Sequence, residues 1–151
     1  MLGEVFVVAM TGQGITLSGP CGPAPWHIEV AEGEDPMPVV GAVVERVLGP
    51  PRLLHSTSWR RDKGGVMLTF LAVVEPAQVA AYEVAPVGRA ELARGGSTSA
   101  PKAIGHVQVL EHALRHLSWL AKDDAVVAGA LDARWREALD TYTPEPFRVV
   151  G

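Results

Sequence analysis

Apolar residues along this chain change their spacing from one stretch to the next, and each change marks an element. Val5–Met10 is a run of β-branched, aromatic and other apolar residues, followed by the turn formers Gly12 and Gly14 and a second run at Ile15–Leu17, which together predict a strand pair. Five of the seven residues from Gly19 to Pro25 are Gly or Pro, so this stretch is a constrained loop. Trp26–Val30 alternates like a short strand, and Glu32-Gly33-Glu34-Asp35 closes it. From Pro36 to Leu48 propensity and periodicity disagree, because valine loses rotamer freedom in a helix. Periodicity decides: at 100° per residue Val39, Val40, Val43, Val44, Val47 and Leu48 fall in one half of the wheel, opposite Gly41, Ala42, Glu45 and Arg46. Asp35 as N-cap, Pro36 in the first turn and Gly49-Pro50-Pro51 as a stop complete a predicted helix.

Arg52–Trp59 and Val66–Val74 read as two strands joined by the polar turn Arg60–Gly65, and the second, apolar on both faces, belongs in the sheet interior. Tyr82–Val84 predicts another short strand. Residues 85–103, with Gly95-Gly96-Ser97-Thr98-Ser99, read as a mobile loop. Residues 104–140 are helical: Ile104–Ala121 carries Val107, Val109, Leu110, Ala113, Leu114, Leu117, Leu120 and Ala121 on one broad face. A second helix from Asp123 and Asp124 to about Asp140 repeats Val127, Leu131, Trp135 and Leu139 at four-residue spacing, and Thr143-Pro144-Glu145-Pro146 ends it. The expected class is α+β: one domain over residues 1–151, an α/β/α sandwich around a mixed sheet, with one helix after the third strand and helices at the C-terminus.

Composition narrows the class. A chain of 151 residues suits one core, and a hydrophobic fraction of 48% argues against disorder. No run reaches the roughly 20 apolar residues of a membrane span, and Met1–Met10 lacks the basic start of a secretory signal, so the expectation is a soluble cytoplasmic protein without membrane attachment. The single cysteine, Cys21, has no disulfide partner and reads as an inert residue in its Gly/Pro loop. A net charge of −4 argues against nucleic acid as a partner. Its distribution is uneven: residues 1–50 hold six acidic residues (Glu4, Glu29, Glu32, Glu34, Asp35, Glu45) and one basic residue, Arg46.

That acidic half contains Pro25-Trp26-His27-Ile28-Glu29-Val30-Ala31-Glu32-Gly33-Glu34-Asp35-Pro36, leading into the predicted helix. In element order and in this lead-in the chain, over roughly residues 4–84, resembles the Nudix hydrolases, whose signature is Gly-x5-Glu-x7-Arg-Glu-U-x-Glu-Glu-x-Gly-U with U aliphatic. Setting the final glycine on Gly49 puts the loop glutamate on Glu34 and the aliphatic position on Val44. The opening glycine becomes Ile28, the arginine Ala42, the next glutamate Val43, and the glutamate pair Arg46 and Val47. In the family those helical glutamates hold Mg2+ or Mn2+ on a pyrophosphate; a hard cation needs oxygen ligands, and valine and arginine supply none. Glu45 lies one position away, a rotation of about 100° around a helix. The resemblance therefore implies a Nudix-like fold with a degenerate catalytic helix: a small-ligand-binding, regulatory or assembly module needing no cofactor. The alternative is an active hydrolase of a nucleoside diphosphate-linked substrate, using Mg2+ or Mn2+ held by Glu29, Glu32 and Glu34.

The most unusual polar string is His55-Ser56-Thr57-Ser58-Trp59-Arg60. Regular alternation puts His55, Thr57 and Trp59 on one face and Ser56, Ser58 and Arg60 on the other. With Trp26, the residues His55, Trp59 and Arg60 are the candidate walls of a pocket for a nucleotide-like small ligand, since aromatic faces and a guanidinium suit a phosphorylated ring. Arg60, Arg61 and Lys63 otherwise read as a solvated basic turn. His112 and His116 lie four apart with Trp119 nearby, a spacing that can present two imidazoles to one zinc. Glu111-His112-Ala113-Leu114-Arg115-His116 lacks a third ligand and the metalloprotease glutamate, so these read as solvated or interface histidines, and His106 as a core or interface histidine. The broad apolar face of the C-terminal helices suggests a homodimer.

Overall fold

The computed structural model describes residues 1–87 and 101–142. The predicted opening pair forms as β1 (Leu2–Thr11) and β2 (Gly14–Ser18), paired antiparallel. β3 (Trp26–Glu29) pairs antiparallel with the first half of β1. α1 (Pro36–Leu48) follows, with Asp35 accepting from the Met37 N–H as N-cap and Gly49 closing the helix at φ +88°. β4 (Leu53–Asp62) and β5 (Gly65–Val74) form an antiparallel hairpin, and β5 runs parallel to β1. A 3-10 turn (Pro76–Val79) leads to β6 (Ala85–Pro86), which pairs with β2. The strand order is β4-β5-β1-β2-β6, with β3 also on β1. α2 (Pro101–Asp123), α3 (Ala125–Ala130) and α4 (Ala133–Leu139) come last.

Alternation along the central strands creates two cores. Val5, Val7, Phe70, Ala72 and Val74 meet Val40, Val44 and Leu48 of α1 on one face. Phe6, Val8, Leu71 and Val73 meet Leu110, Ala113, Leu114 and Leu117 of α2 on the other, where Val127, Leu131, Trp135 and Leu139 extend the packing. β1 and β5 are thus buried on both sides, which explains their unbroken apolar character. Where α1 crosses β1 the residue is Gly3, and a Cβ there would lie 2.9 Å from Val40 Cγ2. On the arc of α2 that in sequence suggested a second copy, Val109, Leu110, Ala113, Leu114, Leu117, Leu120 and Ala121 pack within the chain in the cluster shared with the sheet, α3 and α4.

Several predicted boundaries move for identifiable reasons. Val47, expected on the buried side of α1, is 44% exposed, because the sheet contacts the narrower stripe through Val40, Val44 and Leu48. The polar turn after β4 contracts to Lys63-Gly64, and Arg60–Asp62 continue the strand. Both turn residues have positive φ, +49° and +81°, matching the twist of a two-residue hairpin. Lys63 is strained there, so Lys63→Asn should raise stability by roughly 0.5 kcal/mol, read as a higher urea midpoint at unchanged slope. Tyr82–Val84 is not a strand; pairing with β2 falls on Ala85 and Pro86 instead. Of the loop predicted at 85–103, Ala85–Pro86 is β6 and α2 begins at Pro101, while 88–100 lie outside the described residues, as does Thr143-Pro144-Glu145-Pro146. The single helix expected after Asp124 is two, because Leu131 is extended and the Asp132 carboxylate caps the next helix at the Trp135 N–H. No described helix is long and apolar enough to cross a membrane.

Candidate functional site

The polar string on β4 does not alternate regularly. Ser56 opposes Phe70 while Ser58 opposes Thr69, so Thr57 is an extra residue, a β-bulge. One inserted residue reverses the phase of everything after it. Ser58 and Arg60 therefore join His55 on the face covered by α2, and Trp59 goes to the face of α1, where its opposite residue Leu68 packs. Trp26 also packs on the α1 face, opposite Val5, but β5 and β1 separate its strand from that of Trp59. Of the four predicted pocket residues, His55 and Arg60 thus share one face while Trp26 and Trp59 stand apart on the other.

Arg60 reaches a partner that the sequence reading did not single out. Its Nη1 and Nη2 donate to Glu4 Oε1 and Oε2 at 2.9 and 3.0 Å, and Thr69 Oγ1 donates to Glu4 Oε1 at 3.1 Å. His27 Nε2 lies 3.8 Å from Glu4 Oε2. Ser58, Thr69, Glu4 and His27 form one transverse row across β4, β5, β1 and β3. Among the described residues Glu4, 1% exposed, is the only buried charged side chain. Burial pushes its carboxyl pKa up, but the hydrogen bond and charge of Arg60, the Thr69 hydroxyl and nearby His27 outweigh this and hold it below the ordinary value. The signal available in sequence was a lone carboxylate inside Leu2–Val8, a stretch otherwise apolar enough to be buried on both faces. Every hydrogen-bonding atom of this carboxylate is engaged, which suits a structural role better than a reactive one.

Further along the same face, the His55 ring stacks on the His116 ring of α2, with centroids 5.6 Å apart and planes 19° apart. His116 and His112, one helical turn away, line a groove of about 420 Å³ together with Arg115, Trp119 and Leu120. Burial, then the charges of His55 and His112, push the His116 pKa down. Arg115 lies 3.5 Å from Glu111 on the same helix, and the Trp119 indole, half-exposed, donates to Asp123 at 2.7 Å. The groove thus offers imidazoles, a guanidinium and an indole face to one small volume. His112 and His116 were visible in sequence through their spacing, whereas β4 supplies His55 from a distant part of the chain.

The acidic residues are arranged differently. Glu29, Glu32 and Glu34 are all exposed, and Glu34 accepts from the Ala31 N–H within its own turn. Among the described residues no group of three or more His, Cys, Asp or Glu side chains could hold a metal ion. On α1, Val43 is half-buried while Glu45, Arg46 and Val47 face solvent. These residues do not fit a resident Mg2+ or Mn2+.

With this architecture in hand, comparison with known proteins is informative at the level of fold. No protein-family model and no curated protein matches the chain. The crystal structure of NrtR from Shewanella oneidensis, a Nudix-fold protein, matches it with a TM-score of 0.61, covering 99% of this chain and 84% of that one at 15% identity. The chain has a Nudix-like fold. The histidine groove lies on the opposite side of the sheet from α1.

Proposed function

We propose that this chain is a noncatalytic Nudix-like module that binds a small, anionic, ring-bearing ligand, nucleotide-like in character, in the groove along α2. The observation that carries the reading is the groove lining: His112, Arg115, His116 and Trp119 in about 420 Å³, within the usual range for small-molecule sites. A guanidinium and imidazoles suit phosphate or carboxylate oxygens, and the Trp119 face suits a planar ring. His55 belongs to this site through its stack with His116, while Arg60 is committed to Glu4. Absence of catalysis is supported by Ala42, Val43, Arg46 and Val47 at signature positions on α1, a degenerate form of the family's helix, and by the scattered placement of Glu29, Glu32 and Glu34. A regulatory use of the fold has precedent in NrtR, a Nudix-fold regulator.

The test is a panel of nucleoside mono- and diphosphates and aromatic carboxylates, with and without Mg2+ or Mn2+. Expected is a rise in Tm without turnover, equivalent to about 2.7 kcal/mol at a hundredfold excess over Kd. Trp119→Ala and Arg115→Gln should each weaken the response about tenfold or more, while their own Tm values stay close to that of the parent protein. Metal-dependent release of phosphate or nucleoside monophosphate would overturn the reading and establish a hydrolase.

A further inference from the structure

We infer that the α2 groove takes up protons together with its ligand, so that it favours anions carrying two or more negative charges and binds them more tightly as pH falls. The inference rests on the groove being the ligand site and adds the charge class of the ligand and its regulation.

The geometry is that of two imidazoles face to face across an element boundary, His55 on β4 and His116 on α2, with His112 one turn away. Both stacked rings are half-buried. Two cationic rings at 5.6 Å repel each other unless an anion lies beside them, and burial works in the same direction. The lowered pKa of His116 agrees with this, its causes being burial and the other two histidines.

Among the described residues the surrounding charges do not supply the missing anion. On α2, Glu111 is engaged with Arg115 and Asp123 with the Trp119 indole, while Lys122 reaches Asp140 beyond α4. On β4, Arg60 is held by Glu4, and Arg52 pairs with Glu75 and lies 4.0 Å from Asp132. β5 presents the neutral Leu71 opposite His55. A multivalent anion entering beside Arg115 would turn imidazole repulsion into attraction and raise the pKa of His116. A site whose groups gain protons on binding gains affinity as pH falls through the window between the free and bound pKa values.

Benzene-1,3-disulfonate is a suitable probe, because it carries a ring and two charges that do not titrate between pH 6 and 8, so any proton taken up belongs to the protein. Titration calorimetry in two buffers of different ionisation enthalpy should show net proton uptake, and affinity should rise between about threefold and tenfold per pH unit from 8 to 6. Imidazole NMR signals of His116 should titrate at higher pH with probe than without. His116→Asn, checked for an unchanged fold by its imidazole and indole NMR signals, should bind with a much flatter pH profile. Arg115→Gln should weaken binding at every pH while retaining the slope. Binding that is independent of pH, or stronger at high pH, overturns the proton linkage alone. A groove that binds the probe at no pH, seen as no shift of the Trp119 or His112 signals at millimolar concentration, overturns the ligand site itself.

Discussion

Replacing Arg60 with alanine should destabilise the protein by about 2–4 kcal/mol and reverse the sign of its pH dependence in mild acid. The variant leaves the Glu4 carboxylate, 1% exposed, without its bidentate partner. Removing one member of a fully buried pair typically costs about 3–5 kcal/mol, and the estimate is lower because Arg60 keeps 38% of its side chain in contact with water. In the parent protein the folded-state pKa of Glu4 lies below its ordinary value of 4.5. Its contribution to stability is therefore present above that value and is lost as pH falls through the lower, folded-state pKa. In Arg60→Ala the hydrogen bonds and charge of the guanidinium are gone, and burial, the largest single cause, outweighs what Thr69 and His27 still supply, which raises it. Stability then is greatest below the ordinary value and declines as pH rises through the new one. Urea unfolding from pH 3 to 7 should show the parent gaining stability with pH where the variant loses it. Adding Glu4→Gln to Arg60→Ala should recover part of the loss at neutral pH, since no buried charge remains. A variant with the parent's pH profile would mean that water or another group reaches Glu4.

Trp135→Ala should cost about 3–5 kcal/mol, a large share of the roughly 5–15 kcal/mol that holds a typical domain together. Trp135 is 2% exposed and sits in the cluster that joins α2, α3 and α4 to the sheet face formed by Phe6, Val8, Leu71 and Val73. Truncation removes most of a large side chain from a close-packed cluster that also holds Leu110, Leu114, Leu117 and Leu131, all buried, and so leaves a cavity. Trp59 and Trp119 give the internal comparison: 65% and 47% exposed, each should lose less than about 1 kcal/mol on truncation. Chemical denaturation of the three variants orders them, and an equal cost for Trp59 and Trp135 would contradict the packing.

Features determined within a few residues were legible in the sequence. α1 runs from Pro36 to Leu48 as predicted because its cap, first-turn proline and closing glycine are all local. The α+β class followed from element order. What was hidden depends on contacts across the chain. The bulge at Thr57 carries no mark of its own, and its effect becomes visible only against Thr69 and Phe70 on β5 and against Glu4, 56 residues from Arg60. Regular alternation consequently put His55 with Trp59 and apart from Arg60, whereas the bulge puts His55 with Arg60 and apart from Trp59. The groove lining lies on one helix and was visible through the spacing of His112 and His116, whereas the stack of His55 on His116 required β4 to be laid beside α2. The break at Leu131-Asp132 reflects a competition, an aspartate able either to continue a helix or to cap one, that the apolar spacing alone does not resolve.

The Thr57 bulge also affects how this molecule behaves in a crowd. Among the described residues β4 is the outermost strand on its side of the sheet, ten residues long, and a flat strand of that length would offer an open row of amides and carbonyls to any neighbouring chain. The extra residue interrupts that row near its middle and increases the local twist, and the exposed Arg61 adds charge beyond it. The same insertion that aims a guanidinium at a buried carboxylate therefore blunts a growth point for fibrous assembly, so that deleting Thr57 would sacrifice solubility together with the ion pair.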